Sequence, residues 1–158
     1  MRTGTYVGAS VLQPVLTQLK KYICQHKIPQ TQEDNFFGLH STIIWSKKPC
    51  PLIMPDKKSE HHARATGLTV FCSDKKFRLA LLLYSPSLEK RHSTLMVDHE
   101  ATHDFPIYTP HITIGYDIGS FSWWNLPPFP DTIILGNEVV RTGYPAKKRT
   151  VNAELALT

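Results

Sequence analysis

The sequence predicts an α+β fold: two pseudo-symmetric lobes of antiparallel sheet with flanking helices and a cleft between them. Three observations carry this. A polar pair, His-x-Thr, is set twice into an apolar, β-branched run, first in Leu39-His40-Ser41-Thr42-Ile43-Ile44-Trp45 and again in Pro110-His111-Ile112-Thr113-Ile114-Gly115-Tyr116. Each half of the chain offers strand, helix, loop and then a His-x-Thr strand, a weak internal repeat carried by order rather than by identity. Hairpin turns and helix crossovers join the strand-like runs, which pairs them largely antiparallel.

Residues 5–9 read as the first strand. From 11 to 28, apolar residues at Val11, Leu12, Val15, Leu16, Leu19, Tyr22 and Ile23 form a helical stripe. Pro14 is tolerated in its first turn, and Pro29 ends it. Residues 36–46 are the first His-x-Thr strand. The stretch 47–64, rich in proline and basic residues, reads as a mobile connecting loop. Residues 68–72 and 77–84 read as strands joined by a turn at Ser73-Asp74-Lys75-Lys76. A second helix is predicted over 87–99, with Ser87 as N-cap and Leu88, Leu95 and Met96 as its apolar face. Residues 103–109 form a loop, 111–116 the second His-x-Thr strand, 120–130 a Pro- and Trp-rich loop, and 132–135 a further strand. The tail, 141–158, is basic through Lys147-Lys148-Arg149.

A length of 158 residues, 41% of them hydrophobic, fits one compact domain, 1–158, with a real core. Its lobes are expected at roughly 1–46 with 131–158, and at 66–130. No apolar run is long enough to cross a membrane, and the N-terminus lacks the apolar core of a signal peptide. Three cysteines, Cys24, Cys50 and Cys72, have no paired spacing and read as reduced thiols of an intracellular protein. A net charge of +5 suits an anionic ligand such as a nucleotide without requiring one.

In a strand, residues two apart share a face, so His40 projects with Thr42 and His111 with Thr113. Facing strands would gather two imidazoles and two hydroxyls around one cleft. Imidazole titrates near neutrality and suits proton transfer; hydroxyls can donate to phosphate oxygens. His92-Ser93-Thr94 is a third match, but on a helix, where residues two apart do not share a face, so His92 reads as a surface or helix-face residue with no catalytic role. His99-Glu100-Ala101-Thr102-His103 is a literal His-Glu-x-x-His, the helical zinc motif. It lies at a helix end, shortly before Pro106, with Thr109 where an extended form would carry a further His. His61-His62 lacks the spacing of a metal site. Tyr6, Trp45, Trp123 and Trp124 could stack on bases, Tyr6 best because its strand begins the lobe that bears His40. Glu138 is either an exposed strand-end carboxylate or an acceptor for a base edge.

At these residues the chain resembles the two-histidine (2H) phosphoesterase superfamily, whose signature is one His-x-Thr/Ser motif per lobe. Within it the sequence looks most similar to the phage anti-CBASS phosphodiesterases, which degrade the cyclic oligonucleotides of bacterial antiphage signalling. The matched features are Leu-His-Ser-Thr-Ile-Ile-Trp-Ser, Asp104-Phe105-Pro106 ahead of Tyr108-Thr109-Pro110-His111, and the Glu138 region. The resemblance implies His40, Thr42, His111 and Thr113 as catalytic residues, Tyr6 stacking on a base and Glu138 touching a base edge. It leans toward His111 as the base. It implies no cofactor or metal, a cyclic-oligonucleotide substrate, no membrane or long nucleic acid as partner, and action in the cytoplasm of an infected bacterium. The oligomeric state is not legible. Rival readings are a 2′,3′-cyclic phosphodiesterase or 2′-5′ RNA ligase-like enzyme, a non-catalytic nucleotide sponge, and a zinc hydrolase.

Overall fold

The computed structural model describes residues 3–31, 38–73, 75–105 and 107–145. Among the described residues, six strands and two α-helices follow in the order β1 (Thr3–Val11), α1 (Val15–Gln25), β2 (His40–Ser46), β3 (His61–Ser73), β4 (Lys76–Tyr84), α2 (Pro86–His99), β5 (His111–Gly115) and β6 (Ile133–Pro145). The strands form one sheet in the order β2-β1-β6-β3-β4-β5, with every described pairing antiparallel. An α+β fold is therefore what the chain adopts.

Long β3 welds the two halves. Its first residues, His61, His62 and Ala63, pair with β6, and from Arg64 onward it pairs with β4. The sheet curls, so that its outermost strands, β2 and β5, come into contact. Alternate residues of the strands point to one apolar core, shared by Val7, Ala9, Ile43, Ile44, Leu79, Leu81, Ile112 and Ile114. Helix α1 closes it with Val15, Leu19, Tyr22 and Ile23, and α2 with Leu88 and Leu95. Each fully buried Leu contributes roughly 1.5–3 kcal/mol.

Several boundaries differ from expectation. Val11 ends β1 rather than opening the helix, because its N–H is taken by Leu39 O at 3.0 Å. Helix α1 starts after Pro14 and ends at Gln25, not 28. The N-cap of α2 is Ser85 rather than Ser87: Ser85 Oγ accepts the Leu88 N–H at 3.4 Å, and Pro86 takes the first helical position. The stretch expected to be a mobile loop instead begins β3 at His61, and its earlier part is pinned. Cys50 and Ile53 are buried, Cys50 N–H donates to Thr5 Oγ1 at 2.8 Å, and Asp56 N–H donates to Glu138 Oε1 at 3.1 Å. The 120–130 loop contains a short 3₁₀ turn, Trp123–Asn125. Lys147-Lys148-Arg149, Pro106 and the start of the expected first motif strand lie outside the described residues.

Candidate active site on two matching strands

The motif strands are built alike. His40 pairs with Ser10 and Thr42 with Gly8; the next pair, Ile44 with Val7, skips Ile43. On the other side His111 pairs with Leu82 and Thr113 with Ala80; the next pair, Gly115 with Leu79, skips Ile114. Each strand thus carries a β-bulge one residue after its Thr. In both, His and Thr are half-buried while the residues around them are buried. The residue before each His closes the ladder: Leu39 O accepts from Val11 N–H at 3.0 Å, and Pro110 O from Leu83 N–H at 2.9 Å.

The two imidazoles are held by the same contact. His40 Nδ1 lies 2.8 Å from Gly38 O, and His111 Nδ1 lies 2.9 Å from Thr109 O. A carbonyl oxygen only accepts, so Nδ1 carries the proton in each ring. The basic lone pair of each neutral ring is then on Nε2, and the second bond fixes ring orientation. Burial pushes the pKa of His40 below its ordinary value, and the bond to Gly38 O opposes this only in part.

Side chains from other elements cap the carbonyls at the bulges. His92 Nδ1–H donates to Ile43 O at 2.7 Å, and Gln30 Nε2–H donates to Ile114 O at 2.6 Å. Tyr108, three residues before His111, donates its hydroxyl to Thr42 O at 2.9 Å. Its ring stacks on His92 with centroids 4.1 Å apart and planes 5° apart. The approach to one motif strand is thereby tied to the backbone of the other. His103 meets the His92 ring edge-on at 4.8 Å. Burial lowers the pKa of His92, helped by His103 and opposed by the Ile43 carbonyl. Burial also lowers His103, against Asp104 and the Ile107 backbone. It raises Tyr108. His92 is thus no surface residue: it is 8% exposed and packs into the back of the site.

His99 is the last residue of α2, and Glu100 caps it in the left-handed region at φ 50°. His103 therefore does not stand one helical turn from His99, and the Glu100 carboxylate accepts from Lys48 Nζ at 3.2 Å.

Tyr6 joins the motif residues; Glu138 does not. Tyr6 is 3% exposed, edge-on to Trp45 at 5.3 Å and to His40 at 6.3 Å. Its ring lies along β1 over Gly8, where a Cβ would run into the Tyr6 hydroxyl. Gly8 is the partner of Thr42, so the missing side chain is what lets Tyr6 reach the motif. Glu138, by contrast, has no exposed surface. Val139 pairs with Gly8 and so shares the Thr42 face, which turns its neighbour Glu138 toward α2. There Arg91 grips it with two bonds of 2.9 Å, Nε to Oε2 and Nη2 to Oε1. Asp56 N–H adds a third bond, and His61 Nε2 lies 3.9 Å from Oε2, an ion-pair distance. Burial pushes the Glu138 pKa up, but His61, Arg91 and Asp56 N–H outweigh it and hold the carboxyl below its usual value. Neither the exposed strand-end reading nor the spacing of the sequence reveals this network. Arg91 and Gln30 had no signal beyond their residue types, whereas Tyr108 stood in the stretch matched by resemblance with no role attached to it.

Among the described residues, no helix is long and apolar enough to cross a membrane. The family model described as "Anti-CBASS protein Acb1" matches residues 3–142. The chain is 40% identical to the Anti-CBASS protein Acb1 of Acinetobacter phage Ac42, over 66% of its own length and 64% of that protein's. It is 33% identical to the protein of the same name from Enterobacteria phage T4, over 77% of each chain. With that of Salmonella phage S16 it shares 29% identity over 86% of each. Matched by the family model over residues 3–142, with the two His-x-Thr strands inside the match, this chain belongs to the Anti-CBASS protein Acb1 family.

Proposed function

We propose that this chain is a phosphodiesterase that opens 3′,5′-linked cyclic di- and trinucleotides and so counteracts CBASS antiphage defence in an infected bacterium. The observation that carries the reading is the matched pair of histidines. Each sits two residues before a bulge-flanking Thr, and each is oriented through Nδ1 by the carbonyl two residues before it. Two rings prepared in the same way, on strands that touch, fit a base and an acid on either side of one phosphate. The repeat of register, bulge and carbonyl cap also supports two pseudo-symmetric lobes within one domain, as in 2H phosphoesterases.

In this mechanism one neutral histidine takes the proton of a ribose 2′-hydroxyl at Nε2. The 2′-oxygen attacks the adjacent phosphorus, and the P–O5′ bond breaks. The other histidine, protonated, gives its Nε2 proton to the leaving 5′-oxygen. Thr42 and Thr113 donate to the non-bridging oxygens as charge builds there. The product bears a 2′,3′-cyclic phosphate, which the same pair hydrolyses with water. Burial lowers the pKa of His40, a shift toward the neutral form that suits a base, whereas the family resemblance leans toward His111 in that role.

Tyr6 lies close to His40 and beside Trp45, and at 3% exposed it would stack on a base only once the groups covering its ring move aside. A base edge would reach Glu138 only by displacing the groups that bury it, Arg91 and the Asp56 backbone among them. Incubation with EDTA and a panel tests the whole reading: cyclic dinucleotides, a cyclic trinucleotide, a 2′-5′ oligoadenylate and an RNA ending in a 2′,3′-cyclic phosphate. Linearised rings are expected. Action on the RNA end alone would replace this reading with the RNA-end enzyme, and retention of intact rings with the sponge.

A further inference from the structure

The correspondence of the two motif strands extends past the motifs. On β1, Tyr6 lies four residues before Ser10, the partner of His40, and it packs against Trp45, five residues after that histidine. On β4 the position four residues before Leu82, the partner of His111, is Arg78. Five residues after His111 stands Tyr116, and Arg78 Cζ lies over its ring, 5.8 Å from the centroid. Where one half presents two aromatic rings, the other presents a guanidinium seated on a ring.

Arg78 is two residues from Ala80, the partner of Thr113, and so projects to the same face as that threonine. Phe71, its partner on β3, is buried with Ala80, and Arg78 itself is half-buried. Poor local solvation strengthens the pull of such a cation on an anion. A planar guanidinium over a ring is also the group best shaped to fork onto a phosphate.

We propose that Arg78, held on Tyr116, is an anion subsite for the second, non-reacting phosphate of a cyclic dinucleotide. This rests on the reading of the two histidines as the reacting pair. The subsite makes the enzyme a reader of rings: a substrate with one phosphate fills the reacting site and leaves Arg78 unused. Tyr6 grips one nucleotide by its base, and Arg78 grips the other by its backbone.

The test compares kcat/KM for a cyclic dinucleotide with that for a mononucleoside 2′,3′-cyclic phosphate, in the same preparations of wild type, Arg78→Gln and Arg78→Lys. The ratio, ring over monomer, should fall at least tenfold in Arg78→Gln, mainly through KM for the ring. Arg78→Lys, which keeps the charge and loses the fork, should lie between. Should Arg78→Gln fail to fold, an intermediate ratio in Arg78→Lys supports the subsite and a wild-type ratio overturns it. A ratio unchanged in both variants, including equal losses on both substrates, overturns it as well. Failure of the wild type to cleave either substrate would instead remove the two-histidine reading beneath it.

Discussion

Strands β2 and β5 are alike where chemistry is expected and unlike where they meet the rest of the molecule. Both place His, Thr and a bulge in the same order, and both hold Nδ1 on a carbonyl two residues back. The bulge carbonyl of β2, however, is capped by His92, which stacks on Tyr108 and abuts His103. That of β5 is capped by Gln30, which does not titrate. The lesson is that a β-bulge needs a donor for its displaced carbonyl and is indifferent to its chemistry. The half that uses an imidazole inherits a sensitivity to acid that the other lacks.

Apart from the histidines themselves, the largest effect expected from breaking this likeness is at the hydroxyls. Thr42→Val and Thr113→Val should each lower kcat by about 10²–10³-fold, the usual loss for one donor to a developing oxyanion. Steady-state rates on a cyclic dinucleotide would check this. A loss confined to one of them would mean that the halves are alike in backbone only.

Glu138→Ala should act on stability. It strips Arg91 of a buried partner and should cost about 3–5 kcal/mol in urea denaturation. A variant of unchanged stability with altered base preference would return Glu138 to the substrate.

Smaller is the effect of uncapping a bulge. His92→Ala leaves the Ile43 carbonyl without its donor and should cost about 1–3 kcal/mol. His92→Gln, which imports the cap that the other half already uses, should recover part of it. Equal denaturation midpoints for His92→Ala and His92→Gln would contradict the capping role.

The smallest effect is the pH slope. His40, His92 and His103 all have pKa values below the ordinary 6.5. Below that pH the unfolded chain binds protons that the folded chain resists, so their share of the stability is complete above about 6.5 and falls as pH drops. His92→Gln should flatten the fall in melting temperature between pH 7 and 5, and Gln30→Ala should not. A slope that Gln30→Ala flattens equally would erase the distinction between the halves.

Local pattern made the motif strands legible, because His and Thr two apart in a β-branched run declare a shared face. The same logic was available for His92, four residues after Leu88 and three before Leu95, on the buried stripe of α2. Reading it only as a failed His-x-Thr hid its burial. The bulges were not legible, since they exist only in the register between strands. Nor was the Glu138 network: Arg91 and Asp56 come from a helix and a loop remote in sequence, and proline-rich composition gave no hint that the loop is tied down. The start of β3 at His61 escaped for a related reason. Its partner is β6, and only that pairing makes His61-His62 a strand.

If His40 and His111 act as base and acid, neither is dispensable, and His40→Ala and His111→Ala assayed side by side on one cyclic dinucleotide, with circular dichroism to verify folding, decide this. Each folded variant should lose about 10²–10⁴-fold in kcat. A folded variant of either histidine that turns over at the wild-type rate would contradict the account.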